Sequence, residues 1–124
     1  MTSRSTAPAS PLPLSPIDFH VLLALSEGPL WGYAVMKAVE EETDGVITPD
    51  VGSLYRILAR LMESRLVEET DPPAGAESEP HRGRPRRWYG ITPAGLAAIR
   101  AEAVRLSGAL DLVRARNLLP EAGS

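Results

Sequence analysis

The sequence predicts a mainly α-helical protein with a small β-hairpin and a long C-terminal helix. Three observations lead to this fold class. Apolar residues recur at helical period in the first half of the chain, between Gly and Pro breaks. Two short segments with strand character flank a loop rich in Gly and Pro. In the last quarter, apolar residues alternate three and four positions apart. A chain of 124 residues accommodates one domain with one modest core.

Composition excludes several classes of protein. The chain has no Cys, so it has no disulfide framework, thiol nucleophile or zinc–thiolate site. The longest purely apolar run, residues 21–25, is too short to span a bilayer, and the N-terminus lacks the apolar segment of a signal peptide. By elimination we expect a soluble cytoplasmic protein. A net charge of −3 argues against indiscriminate nucleic-acid binding but permits a local basic face.

The first helix is predicted from Pro16 to about Ser26, after a disordered tail at residues 1–14 that has little to bury. Ser15 is the expected N-cap, with Asp18 as the reciprocal acceptor of a capping box. The helix is apolar nearly all round, so it must be covered on more than one side. We interpret His20 as structural, since no second His, Asp or Glu stands at metal-ligand spacing. Neither a metal nor a cofactor is expected.

A second helix is predicted from about Leu30 to Thr43, ending at Asp44-Gly45. Its far end is acidic and should point away from any nucleic acid. Tyr33 and Lys37 share its non-core face. The predicted core positions are Trp31, Ala34, Val35, Ala38 and Val39.

The third predicted helix, from Thr48 to Ser64, has two contrasting faces. Thr48 is the expected cap and Pro49 the first helical residue. The apolar stripe consists of Val51, Leu54, Ile57, Leu58 and Leu61. The outward face begins with small residues and then carries a phenol and two guanidiniums, which suits a helix in a DNA major groove. We expect its DNA-binding residues to be Gly52, Ser53, Tyr55, Arg56 and Arg60. Taken alone, this helix is also compatible with a surface helix that carries ordinary solvated arginines.

A basic hairpin follows, with strands expected at residues 65–70 and 86–91 and a loop at 71–85. Residues 80–101 contain five arginines and no acid, although the whole chain has 16 acids. We therefore expect the hairpin arginines to contact DNA, the alternative being a flexible solvated loop. These arginines are Arg82, Arg84, Arg86 and Arg87.

The last helix is predicted to start at Thr92-Pro93 and to run to residue 119, before a short tail at 120–124. Its apolar residues form a narrow heptad seam that a monomer of this size has no partner to cover. Pairing with a second copy would bury this seam. The alternative is a helix folded back on its own core. The seam comprises Leu96, Ile99, Ala103, Leu106, Leu110 and Val113.

The order helix, helix, basic-faced helix, strand, basic loop, strand, long helix is that of a winged helix-turn-helix. We assign residues 15–91 to a DNA-binding domain and residues 92–119 to a dimerisation helix. Four blocks of sequence, within a region of roughly 16–119, resemble the PadR family of transcriptional regulators. These blocks are LSEGPLWGY at 25–33, GSLY at 52–55, LARL at 58–61 and RPRRWYGITPAG at 84–95.

This resemblance implies a dimeric bacterial repressor of the branch with a single C-terminal helix. The terminal and first helices would form the dimer, and the third helix and wing would bind a palindromic, inverted-repeat operator in double-stranded DNA. Residues matching Tyr33, Ser53, Tyr55 and the wing arginines would lie at or near that DNA. A small-molecule inducer is a further expectation.

Two departures from the family pattern qualify these expectations. The family often has Pro where this chain has Arg56, a change that could add a DNA contact. Some members stack planar drugs on a Trp of the terminal helix, which here contains no aromatic residue. That drug site is therefore not carried over.

Two other classes of function fit the sequence less well. A winged helix that binds protein instead of DNA would favour an apolar or acidic third helix, which Arg56 and Arg60 contradict. An enzyme is disfavoured because the two His residues lie on different elements, and no Gly-rich phosphate loop follows a strand.

Overall fold

Four helices and a three-stranded antiparallel sheet make up the fold. The computed structural model of the protein describes residues 13–75 and 86–120. The predicted tails at 1–14 and 120–124 lie mostly outside these ranges, as does most of the basic loop. The elements are α1 Pro16–Leu25, β1 Leu30–Trp31, α2 Gly32–Glu42, α3 Val51–Glu63, β2 Val67–Thr70, β3 Trp88–Ile91 and α4 Pro93–Ala115.

Side-chain caps fix where three of the helices begin. Ser15 accepts a hydrogen bond from the amide of Asp18 at 3.1 Å, and Thr92 accepts one from Gly95 at 3.0 Å, as the sequence predicted. The predicted start of α3 is wrong. The cap is Asp50, whose carboxylate accepts from the amide of Ser53 at 2.7 Å, because Asp is a stronger cap than Thr48.

Asp18 does not complete the predicted capping box. The residue is only 8% exposed, and its side chain points towards α3 instead of the start of its own helix. There it forms two hydrogen bonds to Arg60. A charged partner gives a stronger hydrogen bond than the backbone amide of Ser15 could, which explains the difference.

The sheet contains a strand that the sequence did not predict. Its order is β1-β3-β2, so the expected hairpin of β2 and β3 gains β1 on its other edge. Trp31 pairs with Trp88 on one side of β3, and Val67 pairs with Ile91 on the other. As a result α2 begins at Gly32 and not at Leu30. Two residues are too few to show a strand period.

One apolar core joins all four helices to the sheet. Leu14, assigned to the tail from the sequence, is buried and belongs to this core. Val51, expected in the core stripe of α3, is 55% exposed because it is the first helical residue and projects past the packed layer. The buried core residues on the helices include Val21, Leu22, Leu25, Val35, Val39, Leu54, Leu58, Leu61 and Ala98.

The C-terminal helix α4 packs on the domain only through its first part. Gly95, Ala98 and Glu102 are buried, and Ile99 packs against the core. Beyond Glu102 the helix is almost entirely exposed. It ends at Ala115, four residues before the predicted end. No helix in the described ranges is long and apolar enough to cross a membrane.

Candidate nucleic-acid interface

The first two turns of α3 present an open polar surface. Gly52 is exposed, and a Cβ added there would meet only Arg56 Nη1 and Asp50 Oδ1, both at 3.6 Å. The guanidinium of Arg56 is exposed and donates one hydrogen bond to Ser53 Oγ at 3.1 Å. Both partners are on the same helix and the acceptor is neutral. Hydrogen bonds from Ser53 lower the pKa of the Asp50 carboxyl, and the charge of Arg56 also helps to lower it, so Arg56 interacts with residues at the start of its own helix.

Tyr55 lies across the start of α2 instead of standing free. A Cβ at Gly32 would come within 2.8 Å of the Tyr55 Cζ atom and closer still to its hydroxyl oxygen. The absence of a side chain at Gly32 thus allows the phenol to pack there. Tyr55 remains 42% exposed, so part of the ring is accessible from solvent.

Two contacts of Trp31, one with a tyrosine and one with an arginine, connect the start of α2 to the residues that precede β3. Tyr33, 48% exposed, lies against Trp31 with ring centroids 5.6 Å apart. The guanidinium of Arg86 lies over the Trp31 ring, 4.1 Å from its centroid. A cation stacked on an indole is held in place while its rim of donors stays free. Arg86 is thereby fixed beside Tyr33.

Arg87, which directly precedes β3, interacts with a different aromatic side chain. It is exposed and forms a hydrogen bond to the buried hydroxyl of Tyr89. Burial raises the pKa of Tyr89 above its ordinary value, and the nearby Tyr55 raises it further, while the bond from Arg87 acts in the opposite direction. Tyr89 therefore stays a neutral phenol that anchors Arg87 to the core side of the sheet.

Two donors at the base of the hairpin have no hydrogen-bond partner in the described part of the chain. They are Arg86 Nε and Trp88 Nε1, both buried. Arg82 and Arg84, the other two arginines predicted to bind DNA, lie in residues 76–85 and so outside the described ranges.

Arg60 occupies a different environment from Arg56. Its Nη1 donates to Asp18 Oδ2 at 2.8 Å and its Nη2 to Asp18 Oδ1 at 2.9 Å. The bond to Asp18 raises the pKa of Arg60, which is a cation in any case. Sequence reasoning missed Asp18 because 42 residues separate the partners, and no local signal connects them.

Other titratable side chains form contacts away from this surface. His20 Nδ1 lies 2.9 Å from Glu42 Oε1, which joins α1 to the end of α2. Glu102, 1% exposed, bonds to Arg105 and accepts a hydrogen bond from the backbone of Leu14. Groups of three or more residues suited to a metal ion do not occur in the described ranges.

The predicted seam on α4 divides into two parts. Leu96 and Ile99 are partly covered within the chain itself. Leu106 and Leu110 are 40% and 37% exposed, and Ala103 between the two parts is also exposed. Val113, near the helix end, is half-buried.

Comparison with known proteins identifies the family. Residues 21–101, more than half of the chain, match the transcriptional regulator PadR-like family. The chain belongs to the PadR-like family. It is 41% identical over 91 residues to an uncharacterised 37.1 kDa protein of transposon Tn4556 from Streptomyces fradiae. This match covers 71% of the chain, which spans 23% of the length of that relative.

Solved PadR structures share the fold. A PadR family regulator from Eggerthella lenta is 25% identical, with a TM-score of 0.57 over 81% of this chain and 82% of that one. A PadR family regulator from Clostridium difficile is 16% identical, with a TM-score of 0.62 over 81% and 96% of the two chains. Bacillus subtilis PadR, in complex with operator DNA, is 17% identical, with a TM-score of 0.56 over 70% and 46%.

These matches confirm the predicted winged helix-turn-helix and the predicted family. The matched family is one of transcriptional regulators.

Proposed function

We propose that this PadR-like regulator is a ligand-responsive repressor that binds a palindromic operator as a homodimer in the cytoplasm. The observation that carries the proposal is the exposed face of the first two turns of α3. There Ser53 and Arg56 lie on the same helix that Tyr55 joins to α2. Arg56 has the forked donors that take the O6 and N7 atoms of a guanine. Its single described bond, to a neutral hydroxyl, is easily exchanged for a base.

The contacts of Arg86 and Arg87 support different roles in DNA binding for these two arginines and for Arg56. Arg86 is fixed on Trp31, and Arg87 is bonded to Tyr89. Guanidiniums held in this way at the base of a wing suit phosphate oxygens, which position a protein without carrying sequence information. Arg56 would then read the bases while the wing fixes the register.

A binding selection on randomised DNA tests this proposal. For the parent we expect an inverted repeat with half-site centres about 34 Å apart, one turn of the duplex. Arg56→Ala should relax the preference at one base pair in each half-site by about 1–3 kcal/mol. Arg114→Ala is the matched control, since it removes the same charge from the exposed end of α4. An asymmetric parent motif contradicts the homodimer, and an unchanged motif for Arg56→Ala contradicts the assigned reader.

The homodimer is supported by the distal half of α4, which leaves the domain with apolar residues uncovered. Leu106 and Leu110 continue the seam that Leu96 and Ile99 begin, but no described part of the chain covers them fully. A second copy of the same helix offers a complementary stripe.

Ligand responsiveness is supported by a cavity next to that stripe. It has a volume of about 310 Å³, at the lower end of the range of small-molecule sites. Its wall combines the apolar surface of Phe19 and Leu106 with the polar side chains of His20, Glu102 and Arg105. A ligand there would touch both α1 and α4, the helices that the dimer is proposed to use.

A small-molecule screen tests this part of the proposal. A compound that occupies the cavity should release the operator from the parent, while Leu106→Trp, once sedimentation has shown that it has the oligomeric state of the parent, should keep the operator bound because its ring fills the space. Release that is equal in both proteins contradicts a ligand at this cavity. Repression is tested with a reporter gene placed behind the selected operator, whose expression should fall when the regulator is present.

A further inference from the structure

Arg60 shares the outward side of α3 with Ser53 and Arg56 but differs from Arg56 in how it is held. Seven residues, about two turns, separate Arg60 from Ser53, so the sequence places both on one face. In the structure both terminal nitrogens of Arg60 bind the two carboxylate oxygens of Asp18, at 2.8 and 2.9 Å. Two parallel bonds between guanidinium and carboxylate are the strong, geometrically selective form of an ion pair.

This pairing opposes a role for Arg60 as a phosphate contact. Asp18 is only 8% exposed, so a guanidinium that left it for DNA would strand a largely buried carboxylate. If Arg60 stayed in place, the same carboxylate would repel an approaching phosphate. Together the two side chains have no net charge. They therefore add little to the electrostatic attraction between the protein and DNA, which is the part of the affinity that falls with salt concentration.

The bridge also has a mechanical consequence. In the described ranges its two hydrogen bonds are the only side-chain hydrogen bonds that join α3 to α1. From Arg60 to Gly52 the helix rises about 12 Å, at 1.5 Å per residue. A rotation of roughly 10° about the bridge would therefore move the reading end by about 2 Å, well beyond the ~0.5 Å within which binding groups must be held.

We propose that Arg60 is a positioning residue, which fixes the tilt of the recognition helix through Asp18 and makes no DNA contact of its own. The inference rests on the proposed DNA-binding function. It assigns specificity to a pair of residues of which one, Asp18, lies on a helix that does not enter the groove.

Four variants separate positioning from direct contact: Arg60→Gln, Arg60→Lys, Asp18→Asn and the double variant Asp18→Asn/Arg60→Gln. For each, affinity for the selected operator and for unrelated DNA is measured over a range of salt concentrations. Measurements are made below the unfolding temperature of every variant, so that the loss of a stabilising bond does not affect the result.

Positioning predicts that Arg60→Gln and Asp18→Asn both lower the ratio of operator to non-specific affinity. We expect roughly a tenfold loss, the effect of about 1.4 kcal/mol on a dissociation constant. The double variant should lose little more than either single one, because both remove the same bridge. Arg60→Lys should also lose specificity, since an ammonium keeps the charge without the fork. The salt slope should stay at the parent value.

A phosphate contact predicts the opposite pattern and would overturn the proposal. Arg60→Gln would then weaken all DNA alike and reduce the salt slope by about one per monomer. Asp18→Asn would strengthen binding by releasing the cation, and Arg60→Lys would resemble the parent. Unchanged DNA binding in every variant would mean that the Arg60–Asp18 pair contributes only to stability, and this result would also overturn the proposal. A parent without operator preference would instead refute the proposed function, and this inference with it.

Discussion

Replacing Gly95 with Ala tests how closely α4 docks on the sheet. Thr92 fixes the joint in two ways: its Oγ donates to the carbonyl of Arg65 at 2.8 Å, and its amide donates to the carbonyl of Leu66 at 3.1 Å. A Cβ on Gly95 would lie 2.6 Å from Ile91 Cγ1 and closer still to the carbonyl oxygen of Leu66. The backbone atom cannot rotate away as a flexible side chain can.

The magnitude follows from two opposed effects. Forcing a methyl group into a packed site costs about 1–3 kcal/mol, while Ala gains about 1 kcal/mol over Gly in a helix interior. We therefore expect Gly95→Ala to destabilise the protein by up to about 2 kcal/mol. At Gly108, in the same helix, an added Cβ would have no atom within 4 Å. There the same replacement should stabilise the protein by about 0.5–1 kcal/mol.

Urea unfolding at one fixed protomer concentration provides the assay, because the stability of the proposed homodimer would depend on concentration. The midpoint of Gly95→Ala should fall and that of Gly108→Ala should rise, both with the slope of the parent. In a thermal scan the two should differ by several degrees, at about 4 °C per kcal/mol. Equal stability of Gly95→Ala and Gly108→Ala would contradict the close contact between α4 and the backbone of Leu66.

Three further predictions concern the dimer, the wing and the response to acid. Leu106→Asp should place an unpaired charge in the seam and give monomers in sedimentation, whereas an unchanged dimer would move the interface elsewhere. Arg86→Ala should weaken operator and unrelated DNA alike, with a salt slope lower by about one per monomer; a loss restricted to the operator would mean that Arg86 reads bases. The bond from Arg105 lowers the pKa of Glu102. This ion pair therefore stabilises the folded protein at pH values above the ordinary glutamate pKa of about 4.3, and the stabilisation is lost as the pH falls through the lowered pKa. Glu102→Gln should accordingly flatten the fall in urea midpoint below about pH 4.3, and an equal fall in both proteins would contradict this linkage.

Much of the fold could be predicted from local patterns. Helical period and caps located α1 and the start of α4, because a cap and the helix it begins are adjacent in sequence. The patterns of the two strand segments predicted the pairing of β2 with β3. The polar face of α3 predicted that Arg56 is exposed. The strand β1 could not be predicted, since its two residues form a strand only through the partner that Trp88 and Tyr89 provide. The start of α3 was misplaced because Thr48 and Asp50 are both acceptable caps.

The partners of the arginines could not be predicted, for a physical reason. Charge patterning shows where guanidiniums are concentrated but not which acid or ring each will meet. Arg60 meets Asp18 across 42 residues, and Arg86 meets Trp31 across 55 positions of sequence. Such pairs form only after the helices and the sheet have packed. Sequence alone therefore placed Arg56, Arg60 and Arg86 at the DNA without showing what holds each of them, and their surroundings in the structure differ.

These differences determine how the regulator balances affinity against specificity. With a net charge of −3, the chain has no general attraction to DNA to rely on, and Arg60 is neutralised by Asp18. The exposed or partly exposed arginines described near the proposed interface include Arg56, Arg86 and Arg87. Since the last two are held by Trp31 and Tyr89, they can bind phosphate only where the duplex meets them in the correct register. Arginines held in fixed positions favour one register of the duplex, and in that register the proposed contact of Arg56 with a base can provide specificity.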